Sequence, residues 1–465
     1  MSQVTPAETL PPVSSDRIIS IDVLKGIAIL LVILAHMAGF NFVPEEKWIF
    51  YLVYTFLDVF GPSMFVFLSC LGVVFSIKKK RGGLHDKKSR NAVFQRAAAI
   101  FVIGIIPNVV SNYKFGILSF WYWFILQLMA FCQIITYYAL KIPKITRMIL
   151  AFLIIFIITP DLFDNFTSNM YAAGIDYKML GPAHLSNPYA LAFWFLFYPP
   201  FMTPLLPWIA VPFIASIVGD SLVKAATSGT RETKINFIRS TLVDGLIFVL
   251  ISIAFGGHLV TNDYGLGVLA GINTSPVVHL EGLPEFLVIH SSINLLYNLG
   301  MSMLILSLVF YIIEVRGIQG RVSNLLNFYG RFSLSLFFYH VIVGAFFPGM
   351  LTVPWLAIYV FSVYAFLYYF LKILIVRFEG IGTLEWVTSK FNRARNASKI
   401  FFETQIRGFK EGFQKISKKV KGFFLGEHGK EIPVENPVEA FIYDALVEHD
   451  TREDSNKKAN GKHAE

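Results

Sequence analysis

Two ionisable side chains lie inside apolar stretches of the sequence, where they could move protons. His36 ends the apolar run IAILLVILA, and Asp58 lies within the apolar stretch 49–77. If both stretches cross a membrane as helices, the two side chains share a depth to within about one helical turn at about 1.5 Å per residue. A carboxylate beside an imidazole fixes its tautomer and raises its basicity, as a general base requires. The alternative is that His36 makes only a hydrogen bond between helices.

A second group of polar side chains follows one helical face. His290, Asn294 and Asn298 are spaced by four residues, and His340 lies further along the chain in another apolar stretch. Such a stripe of hydrogen-bonding groups would suit a hydroxyl-rich substrate. The equally open alternative is that these groups hold helices together.

Basic side chains at the ends of apolar stretches could bind phosphate groups. Lys25 is three residues from Asp22 on one helical face, and Arg331 begins the stretch that contains His340. A local ion pair of Lys25 with Asp22 is the alternative for the first, and a topological anchor is the alternative for Arg331.

Several other kinds of site are not supported by the sequence. It contains no HExxH or CxxC spacing, no Walker loop and no GxGxxG. The sequence therefore predicts no metal and no nucleotide-binding motif. Its basic segments accompany apolar ones rather than any nucleic-acid-binding module, so we expect no nucleic-acid partner.

The elements that must position these residues are membrane helices. Of 465 residues, 55% are hydrophobic and only 15% charged, and the mean hydropathy is +0.58. This composition excludes an ordinary soluble enzyme or a disordered scaffold. An all-α polytopic membrane helix bundle with about ten transmembrane helices is predicted, because ten segments can span a bilayer: 18–42, 49–77, 93–112, 115–140, 145–163, 189–223, 236–257, 288–315, 325–346 and 351–377. Five prolines interrupt the sixth, which leaves eleven crossings open.

The distribution of charge predicts the orientation of these segments. Alternate connections hold seventeen Lys and Arg residues, against three in the opposite set. By the positive-inside rule, both termini are cytoplasmic.

The chain divides by composition into four regions. Residues 1–16 are a polar N-terminal segment, and residues 17–386 are the membrane domain. Residues 387–430 carry eleven Lys and Arg against three Glu, with apolar residues at helical spacing. They predict a basic amphipathic helix on an anionic inner leaflet; docking on a soluble partner is the alternative. Residues 431–465, with nine acidic residues against four basic ones, predict a flexible tail.

The order of motifs resembles that of the transmembrane acyltransferases. Residues 17–36 read RIISIDVLKGIAILLVILAH and resemble the first helix of the heparan-α-glucosaminide N-acetyltransferase family and of the related acyltransferase-3 family. Later motifs resemble the first of these families in the same order: DVFGPSMFVFLS from Asp58, Gln95-Arg96, ILQ from Ile125, LLPW from Leu205, SINLLYNLG from Ser292, YGRFSL from Tyr329 and Tyr339-His340. The segment IGTLEW, which ends at Trp386, is similar to the closing motif of related bacterial membrane proteins.

Three features depart from the family pattern. Lys25 stands where the family has arginine, and Cys70 where it has glycine. The loop from Asn41 to Trp48 also lacks the histidine of the lysosomal members. His36 is therefore the candidate histidine in this region.

The resemblance implies transfer of an acyl group across the membrane. The donor would be a cytoplasmic acyl-CoA, most simply acetyl-CoA, whose phosphates bind to Lys25, Arg96 and Arg331, with Gln127 nearby. His36, oriented by Asp58, would act as a general base or carry the acyl group. His290, Asn294, Asn298 and His340 would hold a glycan or another small polar acceptor at the outer face. No metal is implied.

Two other classes of protein remain open from sequence. One is a transporter or channel that uses the same intramembrane polar groups without chemistry. The other is a lipid-binding structural protein that depends on residues 387–430. The sequence also leaves open whether the chain forms a homo-oligomer.

Overall fold

The computed structural model describes residues 17–79, 84, 86–111, 123–198, 203–261, 267–289, 291–344 and 346–388. In this part of the chain, eight helices are long and apolar enough to cross a membrane: Ile19–Asn41, Pro44–Lys78, Lys87–Val109, Lys144–Ala172, Leu205–Ser228, Arg231–Gly256, Ser292–Val315 and Val353–Arg377. Two shorter apolar helices are Ile125–Ala139 and Ser333–Val343. The prediction of an all-α polytopic membrane protein is confirmed.

Within the described residues, sixteen α-helices make up these spans and their connections. They are α1 (Ile19–Asn41), α2 (Lys47–Leu57), α3 (Pro62–Lys78), α4 (Lys87–Ser111), α5 (Ile125–Ala139), α6 (Lys144–Leu153), α7 (Thr159–Ala172), α8 (Pro188–Leu196), α9 (Leu205–Trp208), α10 (Val211–Ser228), α11 (Arg231–Gly256), α12 (Val268–Ile272), α13 (Ser292–Phe310), α14 (Arg321–Arg331), α15 (Ser333–Gly344) and α16 (Val353–Arg377). Single π-helical turns follow α6 and α13, at Ile154–Ile158 and Tyr311–Val315. A short antiparallel pair, β1 (Leu259–Val260) and β2 (Leu283–Pro284), connects α11 to α13.

Three of the predicted apolar segments are broken rather than straight. The second breaks between α2 and α3, because Gly61 and Pro62 end the 3₁₀ turn that begins at Asp58 and start a new helix. The ninth breaks at Phe332, between α14 and α15. The sixth is divided into α8, α9 and α10, a division that agrees with its proline content.

Glycines bring two pairs of helices into backbone contact. On α1 and α14, a Cβ atom at Gly26 would collide with the carbonyl oxygen of Leu326, and one at Gly330 with that of Asp22. On α11 and α13, a Cβ at Gly245 would lie 2.9 Å from the Gly300 carbonyl oxygen. Small residues at such crossings allow close van der Waals packing, which drives helix association inside a membrane.

Polar contacts connect the ends of several helices. The Glu314 carboxylate accepts a hydrogen bond from the Ser20 backbone N–H at 3.1 Å. The C-terminal end of α13 therefore lies beside the N-terminal end of α1, and the two helices run antiparallel. Elsewhere the Arg147 guanidinium is buried and donates to the Asp220 carboxylate at 2.9 Å, and Lys78 pairs with the same carboxylate. Arg147, near the start of the fifth predicted segment, therefore lies in the interior.

The terminal regions that were predicted from composition fall mostly outside the part of the chain that the structure describes. Residues 1–16, almost all of the predicted amphipathic helix at 387–430 and the acidic tail 431–465 lie outside the described residues. Those assignments stay predictions.

Candidate functional site

Two histidines that are 304 residues apart in the chain form the centre of the site. His340 on α15 is fully buried, and its Nε2 atom lies 3.0 Å from Nδ1 of His36 on α1. The two rings stack with centroids 4.9 Å apart. The predicted role of His340 was to bind substrate; it instead lies behind His36 and contacts its ring.

The hydrogen bonds of this pair determine where the protons lie. Nδ1 of His340 lies 3.1 Å from the Leu336 carbonyl oxygen, which can only accept, so Nδ1 carries a proton. No carboxylate is among the described hydrogen-bond partners of His340, and a buried unpaired charge is costly, so its ring is neutral and Nε2 is an acceptor. Nδ1 of His36 therefore donates to it, and the lone pair of His36 Nε2 remains to take a proton.

His36 lines a cavity of about 330 Å³ between α1, α2, α3 and α5, which we call the His36 cavity. The side chain of His36 is exposed, whereas that of His340 is not. The other polar side chains among the described residues of the wall are Tyr51, Tyr54 and Thr203, and the remainder is apolar. Such a cavity can hold an apolar group beside the one imidazole that has a free lone pair.

A smaller cavity lies nearer the N-terminal end of α1. It has a volume of about 70 Å³ and is lined by Lys25 and Arg96, so we call it the Lys25 cavity. It shares three wall residues with the His36 cavity: Phe65, Ile125 and Phe337. Lys25 and His36 are eleven residues apart on one helix, or about 16 Å. The Asp22 carboxylate also pairs with Arg17 at 3.3 Å.

Asp58 belongs to a different polar chain from that of His36. Its Oδ2 accepts a hydrogen bond of 2.6 Å from the Asn298 amide, which also donates to the Asn294 Oδ1 at 3.1 Å. The Asn294 amide donates in turn to the Phe286 carbonyl oxygen at 3.0 Å. All three side chains are buried. None of the described hydrogen bonds joins Asp58 to His36. Asn298 holds α13 against the break between α2 and α3, and Asn294 binds the segment that precedes α13.

The remaining predicted residues have separate surroundings. The Gln127 Oε1 accepts from the Asn108 amide at 2.5 Å and from the Phe124 backbone N–H at 3.3 Å, so it ties the start of α5 to α4. Arg331 ends α14 and is half-buried, and its Nε has no hydrogen-bond partner among the described residues. His290 lies outside the described residues.

Sequence reasoning missed the residue that anchors α15. The Glu385 carboxylate accepts from the backbone N–H groups of Leu334 and Ser335 at 3.0 and 3.2 Å, and from the Ser335 hydroxyl. Burial raises the pKa of the Glu385 carboxyl above its ordinary value, against the opposing effect of these hydrogen bonds. The IGTLEW segment thus fixes the first turn of the helix that carries His340. The only feature of the sequence that could have indicated this role of Glu385 is the IGTLEW motif.

The described helices define a multi-pass integral membrane protein with an interior histidine that faces a cavity. Residues 17–249 match the family described as heparan-alpha-glucosaminide N-acetyltransferase, catalytic. The chain belongs to this family of transmembrane acetyltransferases that act on glycans. The matched part contains Lys25, His36 and the helices α3 and α5, which contribute to the wall of the His36 cavity. His340 lies beyond the matched part. No individually curated protein matches the chain.

Proposed function

We propose that this protein transfers an acetyl group from acetyl-CoA to an amine or hydroxyl of a glycan acceptor, with His36 as the general base. The observation that carries this proposal is the hydrogen bond from His36 Nδ1 to the buried His340, because it leaves His36 Nε2 unprotonated beside a cavity. His340 is then a positioning residue. It takes over the role that the sequence assigned to Asp58.

The reaction requires one proton to pass through His36. Nε2 accepts the proton of the acceptor amine or hydroxyl while its nitrogen or oxygen attacks the thioester carbonyl carbon. A C–N or C–O bond forms, the C–S bond breaks, and the imidazolium returns the proton to the departing CoA thiolate. In a variant of this mechanism, Nε2 itself attacks the thioester and transfers the acetyl group in a second step.

The Lys25 cavity is the proposed entrance for the donor. Lys25 and Arg96 line it, and Arg331 supplies a further guanidinium near the same end of α1, so the donor phosphates would meet cationic partners. The wall shared through Phe65 and Phe337 would let the acyl-bearing arm reach the His36 cavity. Gln127 would act here only by holding α5 in place.

Asp58, Asn294 and Asn298 are proposed to support the site from behind the cavity wall. Their amide and carboxylate groups are used in contacts between helices. We therefore expect the acceptor to contact the cavity side chains rather than this stripe, with His290 still a candidate contact.

The proposed topology has ten spans with both termini in the cytoplasm. It adds the two shorter apolar helices to the eight long ones. The excess of Lys and Arg in alternate connections supports this orientation. The Lys25 cavity then faces the compartment that supplies acyl-CoA, and the C-terminal end of α1 faces the opposite side. The basic segment 387–430 would bind anionic lipids of the inner leaflet.

Calorimetric binding of acetyl-CoA and transfer of radiolabelled acetyl groups to glucosamine test this function together. Arg96→Ala should weaken acetyl-CoA binding, whereas His36→Ala should keep binding and abolish transfer. Arg239→Ala removes an exposed guanidinium from α11 and is the matched control. The absence of binding at millimolar acetyl-CoA would refute the proposal. Solute flux through liposomes without acetyl-CoA would instead support the transporter class.

A further inference from the structure

A third cavity lies between α7, α11 and the start of α13. It has a volume of about 310 Å³. Two carboxylates line it, those of Asp164 and Glu285, and we call it the Glu285 cavity. Glu285 is mostly buried and lies 3.5 Å from His258, whereas Asp164 is exposed. Neither residue has a role in the acyl transfer derived above.

The Glu285 cavity and the His36 cavity have wall residues that are neighbours in the chain. Pro204 lines the former and Thr203 the latter, and consecutive Cα atoms are about 3.8 Å apart. Ser292 begins α13 and lines the Glu285 cavity. Because α13 runs antiparallel to α1, this cavity lies toward the end of the bundle where α1 ends. Under the proposed topology, that is the side from which the acceptor arrives.

The chemistry of the wall favours a cation. Of the described residues that line the Glu285 and His36 cavities, none is a lysine or arginine. An anionic group bound there would meet two carboxylates and no lysine or arginine, whereas an ammonium would form charge-assisted hydrogen bonds with the carboxylates. The rings of Phe163, Phe197 and Phe255 add faces that attract a cation.

One wall residue has an unused hydrogen-bonding group. The Thr159 side chain is buried, and its hydroxyl has no partner among the described residues. The hydroxyl oxygen has less than 1 Å² of accessible surface, so it reaches a ligand in the cavity only if the Thr159 side chain turns. A sugar ring offers hydroxyl groups together with an apolar C–H face for the phenylalanine rings.

We propose that the Glu285 cavity is an acceptor subsite for a sugar unit bearing a positively charged amine, next to the sugar that is acetylated. The protein would thus act on cationic amino-sugar glycans and disfavour sulfated ones. This inference rests on the proposed function, because it takes the His36 cavity as the place of acetyl transfer. It adds the class of acceptor.

Three disaccharides that differ in one substituent test this selectivity. Each carries a reactive glucosamine joined to glucosamine, N-acetylglucosamine or N-sulfoglucosamine, so the second ring is cationic, neutral or anionic. We expect kcat/KM to fall in that order. Glu285→Gln and Asp164→Asn should raise the KM for the cationic disaccharide roughly threefold to tenfold, in the range of single ion pairs, and leave the neutral one within about twofold. Asp161→Asn, an exposed carboxylate on the same helix that does not line the cavity, is the control.

Two kinds of result would overturn this inference. One is equal use of the anionic and cationic disaccharides; the other is an equal effect of the two variants on all three. If no disaccharide is acetylated, the proposed function fails, and calorimetric binding of the cationic disaccharide tests the subsite separately. Binding that Glu285→Gln weakens supports the subsite, and equal or absent binding refutes it.

Discussion

Replacing His340 with phenylalanine tests whether the buried histidine controls the proton state of His36. The new ring approximately fills the fully buried space of the imidazole but removes the acceptor that lies 3.0 Å from His36 Nδ1. Without that acceptor, the proton of neutral His36 can move to Nε2, which abolishes its basic lone pair. We therefore expect His340→Phe to slow acetyl transfer while acetyl-CoA still binds.

The size of the effect follows from the single hydrogen bond that is lost. Such a bond contributes about 1–2 kcal/mol in a buried site, which corresponds to a fall in kcat of about fivefold to thirtyfold. His36→Ala removes the base itself and should cost more, about 10²–10⁴-fold. Because His340 acts through His36, the double variant should be no slower than His36→Ala alone.

Transfer of labelled acetyl groups to glucosamine by the purified protein measures each rate constant. Tyr339→Phe is the control for general disturbance of α15, because it removes only the hydroxyl that donates to the Gly382 carbonyl oxygen at 2.5 Å. An unchanged kcat in His340→Phe would refute the proposed positioning role. A double variant slower than His36→Ala by the full factor of His340→Phe would also refute it, since the two residues would then act independently.

Three further predictions concern the fold. Gly330→Ala should lower the unfolding temperature by several degrees, because its Cβ would collide with the α1 backbone, whereas Gly72→Ala, with open space around it, should not; a thermal scan in detergent that ranks the two equally would contradict this. Arg147→Met should destabilise the protein by about 1–3 kcal/mol, since Asp220 loses one of its two cationic partners and keeps Lys78, and Arg147→Met with Asp220→Leu should recover part of that loss in denaturant unfolding. Hydrogen bonds from the Lys88 backbone, then from Ser89, hold the pKa of Asp86 below its ordinary value, so its contribution to stability is present above pH 4 and is lost as the pH falls through the native pKa; the protection factors of the amides at the start of α4, which are corrected for the intrinsic exchange rate at each pH, should fall in acid in the native protein and stay constant in Asp86→Ala.

The sequence predicted the helices well because apolar length is a direct physical signal. Each of the ten predicted segments overlaps one of the eight long or two shorter apolar helices of the described residues, but the sixth segment begins at residue 189 and its long helix only at Leu205. The break at Gly61 was not predicted. Gly61 and Pro62 stand in the sequence, but the mean hydropathy does not fall at these two residues. Whether a helix breaks there depends on tertiary contacts such as the hydrogen bond from Asn298 to Asp58.

The structure groups the predicted site residues differently from the sequence-based pairing. Shared depth along two helices is compatible with many neighbours, so the depth of His36 and Asp58 could not show which side chains touch. The partner of His36 is His340, which the sequence had placed among the acceptor contacts. Glu385 shows a second limit, since a carboxylate that binds backbone N–H groups leaves no signal in the sequence of the helix it holds.

The distance along the chain between the two histidines has a consequence for biosynthesis. His36 and His340 are 304 residues apart, and α1 also packs its backbone on α14. At about 5–20 residues per second, a ribosome needs roughly 15–60 s to proceed from one to the other. During that time the first helix resides in the membrane without the helices that complete its polar contacts. A chain truncated before α14 therefore cannot form the histidine pair, and factors that shield polar side chains in newly inserted helices would be needed longest for the first one.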